Sequence, residues 1–449
     1  MPNRAQWALS LGLPILVVGG IIAAERVQRN FEAPEKLALA AVLPSAGYGP
    51  ADQQDASRDS ERHLALAQDH VSRDPNSWLP RQVLARALSQ SYAIDGDFAA
   101  LVEAGRQLAE GRRLAPTNSG PNLVTAEWAM SVHDLDLARA ALAGYDAQVV
   151  KLSRGEEAAA DSLRGDIAFY TGDMATTQRA YDRAAAIENG PGVLVRQATL
   201  AKARGDFDEA IALLVKAGTV DSLRTPRSLA NLAIQIGAIE FARGRYDAAV
   251  ERYDEAAKLL PGYWKAQLYE AEAALVAGRA NEAIDRLETV VDYNQAPEAM
   301  DALAMIYRHR GDRTKSREWS ARAAAEWHRR TEALPSAAIA HAAEHELAFG
   351  NAARALDMAR RNAAIRPYGE ARILLAKALN ANGRFAEARR ELLAAEASGW
   401  RSALLFVELA RSEEALGQPG AAREARKRAL ELNPDIESPQ AALVWFAHG

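Results

Sequence analysis

The chain has 449 residues, of which 49% are hydrophobic and 25% charged, with a formal net charge of −5. That hydrophobic content excludes a chain that is disordered throughout, and the mild acidic excess supplies no basic surface for a phosphate backbone, so we expect no nucleic-acid partner. The sequence contains no cysteine, which excludes disulfides, cysteine-ligated zinc and thiol nucleophiles.

The first predicted element is a hydrophobic helix near the N-terminus. Residues 7–24 read WALSLGLPILVVGGIIAA, without a charge, and a helix of that length spans about 27 Å, close to the hydrocarbon thickness of a bilayer. We predict a transmembrane anchor at 7–24 behind a short arm at 1–6, with a cleaved signal peptide or a buried core helix as alternatives. Because the preceding arm is very short, we expect a single-pass protein of the cytoplasmic (inner) membrane with its bulk on the periplasmic, extracytoplasmic side.

A segment with little periodicity follows the hydrophobic helix. Residues 43–60 read LPSAGYGPADQQDASRDS, which is dense in proline, glycine, serine and aspartate. These residues favour turns and offer no apolar face to bury. We therefore predict a flexible linker at 25–60.

From residue 61 onward the sequence is helical and repetitive. Glycines recur at positions 172, 205, 244, 278, 311, 350, 383 and 417, separated by 33 to 39 residues. Two weaker copies of the pattern surround Asp134 and Gly96. A period near 34 residues accommodates two helices of normal length joined by a glycine turn, and such hairpins must stack to bury their apolar faces.

One copy of the repeat carries a full set of family positions. They are Ile236, Gly237, Gly244, Tyr246, Ala249, Tyr253, Ala256 and Pro261. This pattern resembles the tetratricopeptide repeat (TPR) family of bacterial membrane-anchored type, and the resemblance covers residues 61–437. It implies an all-α, right-handed α-solenoid of about 9–10 helical hairpins. We expect residues 438–449, SPQAALVWFAHG, to form a helix that caps the array, with a partner-docking patch as the alternative.

Three patterns suggest chemistry outside the repeat. His341, Glu344 and His345 match the inverted zinc-protease motif H-x-x-E-H, and a zinc hydrolase is the least favoured function, since the motif falls inside a predicted packed helix. Arg-Gly-Asp occurs three times, each on a glycine of the repeat. A basic cluster with two tryptophans spans residues 309–330; we interpret it as a solvated face, with an acidic protein or anionic lipid as the alternative partner.

The resemblance implies a binding groove, because in this family the first helices of the hairpins line a concave surface that holds a peptide or partner helix. Carried over by register, that groove contains Val195, Ile234, Phe241, Leu268, Glu272, Leu275, Met305, Arg308, Leu347, Ile373, Lys377, Val407 and Arg411. Its apolar character favours an amphipathic helix or an extended apolar segment as ligand. The alternative is a tightly wound array that buries these residues against itself.

Together these features predict a non-catalytic scaffold without a cofactor, tethered to the membrane through its N-terminal helix. It would bind protein partners in envelope assembly, secretion or polysaccharide export. The alternative function is a periplasmic, chaperone-like holdase for exported proteins.

Overall fold

The fold is known from a computed structural model, which describes residues 42–150 and 153–438. Within these ranges the chain forms α-helices and turns and no β-strand. The helices are α1 Gln53–Arg73, α2 Trp78–Asp95, α3 Phe98–Leu114, α4 Asn122–Ser131, α5 Leu135–Asp146, α6 Arg154–Tyr170, α7 Met174–Ile187, α8 Pro191–Ala203, α9 Phe207–Val220, α10 Pro226–Ala242, α11 Tyr246–Leu259, α12 Trp264–Val276, α13 Ala280–Asn294, α14 Pro297–His309, α15 Arg313–Ala333, α16 Pro335–Ala348, α17 Ala352–Ile365, α18 Gly369–Ala381, α19 Phe385–Ala397, α20 Ala403–Ala415 and α21 Pro419–Leu432.

Consecutive helices pair into antiparallel hairpins. In the described part of the chain there are ten, which we number from hairpin 1 (α2 and α3) to hairpin 10 (α20 and α21), and α1 packs against α2. The predicted all-α array of helical hairpins is therefore confirmed.

In nine of the ten hairpins, the turn contains a residue with a positive φ. A glycine with φ between 72° and 84° occupies this turn in eight hairpins, and His133 with φ 57° occupies it in hairpin 2. Glycine adopts this left-handed conformation without a steric cost, which lets the first helix stop and the second begin at once. A second glycine, Gly237, lies where any Cβ would overlap the ring of Tyr253, so it lets the two helices of hairpin 5 approach closely.

The hairpins stack into a superhelix. One full turn takes between five and six hairpins, and successive turns contact each other. The turn inside hairpins 1 to 5 lies against the loop that follows hairpins 6 to 10, and we call this contact the seam. Three hydrogen bonds that cross it are Trp264 Nε1 to Ile94 O at 2.8 Å, the Arg401 backbone N–H to Ala203 O at 2.8 Å, and Asn433 Nδ2 to Ala242 O at 3.1 Å. All three acceptors are among the last carbonyls of a first helix, which have no partner inside that helix.

An aromatic cluster fills the middle of the seam. Phe169 of hairpin 3 lies 5.9 Å from Tyr368 and 5.8 Å from Trp400, measured between ring centroids. Tyr170 meets the Tyr368 ring edge-on at 5.0 Å. All four rings are buried, so burial of apolar area stabilises the seam in addition to its hydrogen bonds.

The seam divides the turn glycines into two groups. A Cβ built on Gly96, Gly172, Gly205 or Gly244 would lie 2.5–3.2 Å from an atom of the later hairpins. A Cβ built on Gly278, Gly311, Gly383 or Gly417 would meet no described atom within 4 Å. The superhelix therefore has two free ends: the loops between hairpins of the first turn at one end, and the glycine turns of hairpins 6 to 10 at the other.

The predicted linker at 25–60 is wrong for its last part, because residues 53–60 are the first turns of α1. The Asp52 side chain accepts a hydrogen bond from the Asp55 backbone N–H, which caps this helix. Residues 42–52 also lie on the fold, since Leu43 is buried and the Gly47 N–H donates to Arg224 O at 2.7 Å. These contacts were not predicted, because the segment is polar and rich in turn-forming residues.

Two predicted elements lie outside the described residues. These are the anchor at 7–24 and, apart from Ser438, the capping helix at 438–449. Within the described ranges, no helix combines the length and the apolar character needed to cross a membrane.

Candidate functional site

The first helix of each hairpin lies on the inside of the superhelix and the second on the outside. For example, α10 buries twelve of its 17 residues and α11 buries three of its 14. The same contrast holds for α18, with ten of 13, and α19, with three of 13. The inward-facing surface of the first helices, which we call the inner wall, is the structural counterpart of the predicted groove.

Much of the predicted groove is packed inside the protein. Eight of its thirteen residues are buried: Ile234, Phe241, Glu272, Leu275, Met305, Ile373, Lys377 and Val407. Five keep access to solvent: Val195, Leu268, Arg308, Leu347 and Arg411. The assignment of these residues to a partner stays a prediction, and for the buried ones the tight winding supports the alternative of internal packing.

The inner wall of hairpins 9 and 10 is closed by its own polar groups. Arg411 contacts Glu408 at 3.2 Å, and Asn380 Nδ2 donates to the same carboxylate at 2.9 Å. Burial lowers the pKa of Lys377, and the nearby carboxylates of Glu344 and Glu408 oppose that shift. These buried groups satisfy one another, which leaves little of this stretch of wall for a ligand.

The inner wall of the first turn is more accessible. On α2, Leu79, Val83 and Arg86 are exposed at intervals of four and three residues, so they share one helix face. Arg86 reaches Glu127 of the next hairpin at 3.9 Å, which places that face on the inside. These residues were missed in the sequence because the repeat around Gly96 is degenerate. The register of the other hairpins, applied to Gly96, gives Arg86 and neither Leu79 nor Val83.

Two lysines on first helices of the array have lowered pKa values. Burial lowers the pKa of Lys202 to about 8, with the carboxylate of Glu370 opposing the shift. Burial also lowers the pKa of Lys265 to about 8, and the neighbouring Arg227 adds to the effect. Lys202 belongs to hairpin 4 and Lys265 to hairpin 6. The exposed face of α2 itself combines Leu79 and Val83 with the cation of Arg86, a combination suited to a ligand that carries apolar and acidic groups.

The H-x-x-E-H residues are held in structural contacts. His345 Nδ1 lies 2.6 Å from Asp301 Oδ1, and Trp327 Nε1 donates to the other oxygen of Asp301 at 2.8 Å. The His341 ring lies 5.5 Å from that of Trp327, and its Nδ1 is 3.6 Å from the Glu344 carboxylate. In the part of the chain that the structure describes, no group of three or more His, Cys, Asp or Glu side chains could hold a metal ion.

A small polar cavity lies beside this helix, where hairpin 2 meets hairpins 8 and 9. It is lined by His133, His341, Glu344, Asn362, Arg366 and Tyr368, among others, and holds about 20 Å³. That is room for about one water molecule. The cavity therefore offers no space for an organic substrate.

The remaining motifs have structural roles. The aspartates of the three Arg-Gly-Asp sequences have different roles. Asp166 is buried and accepts a hydrogen bond from Arg196 Nε at 2.9 Å. Asp206 immediately precedes α9, and Asp312 caps α15 by accepting a hydrogen bond from the Lys315 N–H. The basic cluster at 309–330 lies mainly on the exposed side of α15. Within it Arg322 stacks on Trp319 at 4.3 Å.

These observations define a helical-repeat protein whose accessible site is a concave surface. A scan against protein families agrees, because residues 240–306 match the tetratricopeptide repeat model. The matched segment runs from the end of α10 through most of α14. The match supports the tetratricopeptide repeat family and with it a protein–protein interaction scaffold. The chain matches no curated protein.

Several solved structures are similar to parts of the chain. A tetratricopeptide repeat protein from Parabacteroides merdae is 15% identical with a TM-score of 0.34, over 57% of this chain and 99% of its own. A thermophilic TPR protein from Thermus thermophilus is 20% identical with a TM-score of 0.31, over 45% of this chain and 98% of its own. MamA is 19% identical with a TM-score of 0.30, over 37% of this chain and 96% of its own.

Proposed function

We propose that the protein is a non-catalytic scaffold that binds a segment of a partner protein on the inner wall of its first turn. The observation that carries this proposal is the contrast between the exposed wall at Leu79, Val83 and Arg86 and the self-satisfied wall of hairpins 9 and 10. A ligand with apolar side chains and a carboxylate would complement Leu79, Val83 and the guanidinium of Arg86. Binding by shape and surface requires no reacting group.

The test compares variants of exposed residues, so that folding is preserved. Val83→Asp places a carboxylate on the inner wall, and Leu430→Asp makes a similar change on an exposed residue of the outer helix α21. We expect the unmodified protein and the Leu430 variant to capture the same few partners in stoichiometric amounts after crosslinking, and the Val83 variant to lose them. Equal capture by all three would contradict the inner-wall assignment, and capture of many unfolded clients would favour a holdase instead.

We further propose that residues 7–24 tether the scaffold to the cytoplasmic membrane, with the repeats on the periplasmic side, where it takes part in envelope assembly, secretion or polysaccharide export. The support is the uncharged stretch of that segment and its length, which suits a bilayer. Reporters that are active on only one side of the membrane, fused at the C-terminus, test this arrangement. Activity of the cytoplasmic reporter, or recovery of the protein in the soluble fraction, would contradict it.

A further inference from the structure

One free end of the superhelix has an unusual surface. We call it the rim and define it as residues 42–50 together with residues 74–77, 115–121, 147–150, 188–190 and 221–225 of the first-turn loops. The four most exposed large apolar side chains among the described residues all lie on it: Val42, Tyr48, Val149 and Val150. Tyr48 is 97% exposed and Val149 77%, and Leu223 on the same rim is 56% exposed.

The rim also carries few charges. Four of its thirty-two residues are charged, and Lys151 follows Val150 in the sequence. One of the four, Asp221, accepts a hydrogen bond from the Leu223 N–H at 3.0 Å. At the opposite end, the turn of hairpin 7 contains Arg310 and Asp312, and the helices on either side of it contribute Arg308 and Arg313. The two ends of the molecule therefore differ: the rim is apolar and poor in charge, whereas the opposite end, which we call the charged end, has about the charge density of the chain as a whole.

The chain joins the fold at the apolar end. Leu43 is buried in the core of hairpins 4 and 5, and the Gly47 N–H donates to Arg224 O at 2.7 Å, so residue 42 is fixed on the rim. Seventeen residues separate it from the uncharged segment 7–24, a span of at most about 60 Å when fully extended. A membrane helix at 7–24 would thus keep the rim within reach of the bilayer surface.

We infer that the rim is a membrane-contacting surface, which seats the superhelix on the lipid interface with its charged end directed away. This inference rests on the proposed tether at residues 7–24. Tyrosine and aliphatic side chains partition into the interface between headgroups and acyl chains, while charged groups remain in water. In this orientation the glycine turns of hairpins 6 to 10 face the aqueous phase.

The test uses the full chain in lipid vesicles that contain brominated lipids. Because the chain has no cysteine, single cysteines can carry a fluorophore at Tyr48→Cys, Val149→Cys or Leu223→Cys on the rim. Leu416→Cys and Arg313→Cys are the matched positions at the charged end, and both residues are exposed. We expect the bromine atoms to quench the rim labels at least twofold and to leave the other two labels unchanged.

The outcomes separate this inference from the tether. Flotation of the protein with the vesicles, combined with unquenched rim labels, would overturn the rim inference and leave the tether intact. Energy transfer between rim labels of different molecules would likewise overturn it, because it would show that a second copy covers the rim. Failure of the protein to float would overturn the tether, and with it the inference.

Discussion

The seam makes a quantitative prediction about two glycines in equivalent turns. Gly244 of hairpin 5 has φ 78° and Gly278 of hairpin 6 has φ 75°, so alanine at either position meets the same backbone penalty of about 1–2 kcal/mol. Their surroundings differ. A Cβ on Gly244 would lie 2.5 Å from Asn433 Oδ1 across the seam, whereas one on Gly278 meets no described atom within 4 Å.

Gly244→Ala is therefore expected to cost more than Gly278→Ala. The added methyl group displaces Asn433, whose Nδ2 donates to Ala242 O at 3.1 Å. Loss of such a hydrogen bond costs about 0.5–1.5 kcal/mol, so we expect a difference of about 1 kcal/mol between the two variants. The difference arises only if the two turns of the superhelix touch in solution.

Hydrogen exchange measured by mass spectrometry on the full chain is the suitable assay, because long repeat arrays open in parts and not in a single transition. In the Gly244 variant, peptides that cover residues 430–438 should exchange faster, although they lie almost 190 residues away in the sequence. In the Gly278 variant, these peptides should keep the exchange rate of the unmodified protein. Equal local effects in both variants, with no change at 430–438, would refute the seam.

Two further predictions follow from the buried ionisable groups. Burial, followed by the charges of Arg366 and His341, holds the pKa of His133 well below its usual value, so the folded protein loses stability as pH falls below about 6.5. Asparagine tolerates the φ of 57° at this position. His133→Asn should therefore reduce the decrease in urea midpoint between pH 6.5 and 5. The lowered pKa values of Lys202 and Lys265, about 8 for each, mean that stability falls as pH decreases from about 10.5 to 8. Lys202→Met should reduce the pH dependence of the urea midpoint across that window, with Lys265 supplying the remainder, and an unchanged slope would contradict the burial of the Lys202 amine.

The repeat architecture could be predicted from the sequence because its determinants are local. A glycine turn, two small residues and a helix-stopping residue recur at a fixed spacing, and each acts within its own hairpin, as Gly237 and Tyr253 illustrate. The family positions around Gly244 were sufficient to place hairpin 5, and the spacing then placed its neighbours.

The closure of the superhelix could not be predicted in this way. Closure depends on the small rotation between each hairpin and the next, and these rotations add up until Asn433 contacts Ala242. No single residue determines the total rotation. For the same reason the sequence left open whether Phe241 and Met305 line an open groove or pack inside the array, where both are buried. Leu79 and Val83 were missed because the first hairpin lacks the strong family pattern.

A distance across the seam tests the central claim of a closed superhelix most directly. Spin labels attached at Asp206→Cys and Glu431→Cys, both exposed, would sit beside the contact between Gly205 and Leu432. The closed superhelix predicts a single short distance between them in the full chain. An open solenoid would separate hairpins 4 and 10 by about 50–60 Å, because neighbouring helices pack 8–10 Å apart, and a distance in that range would contradict the account.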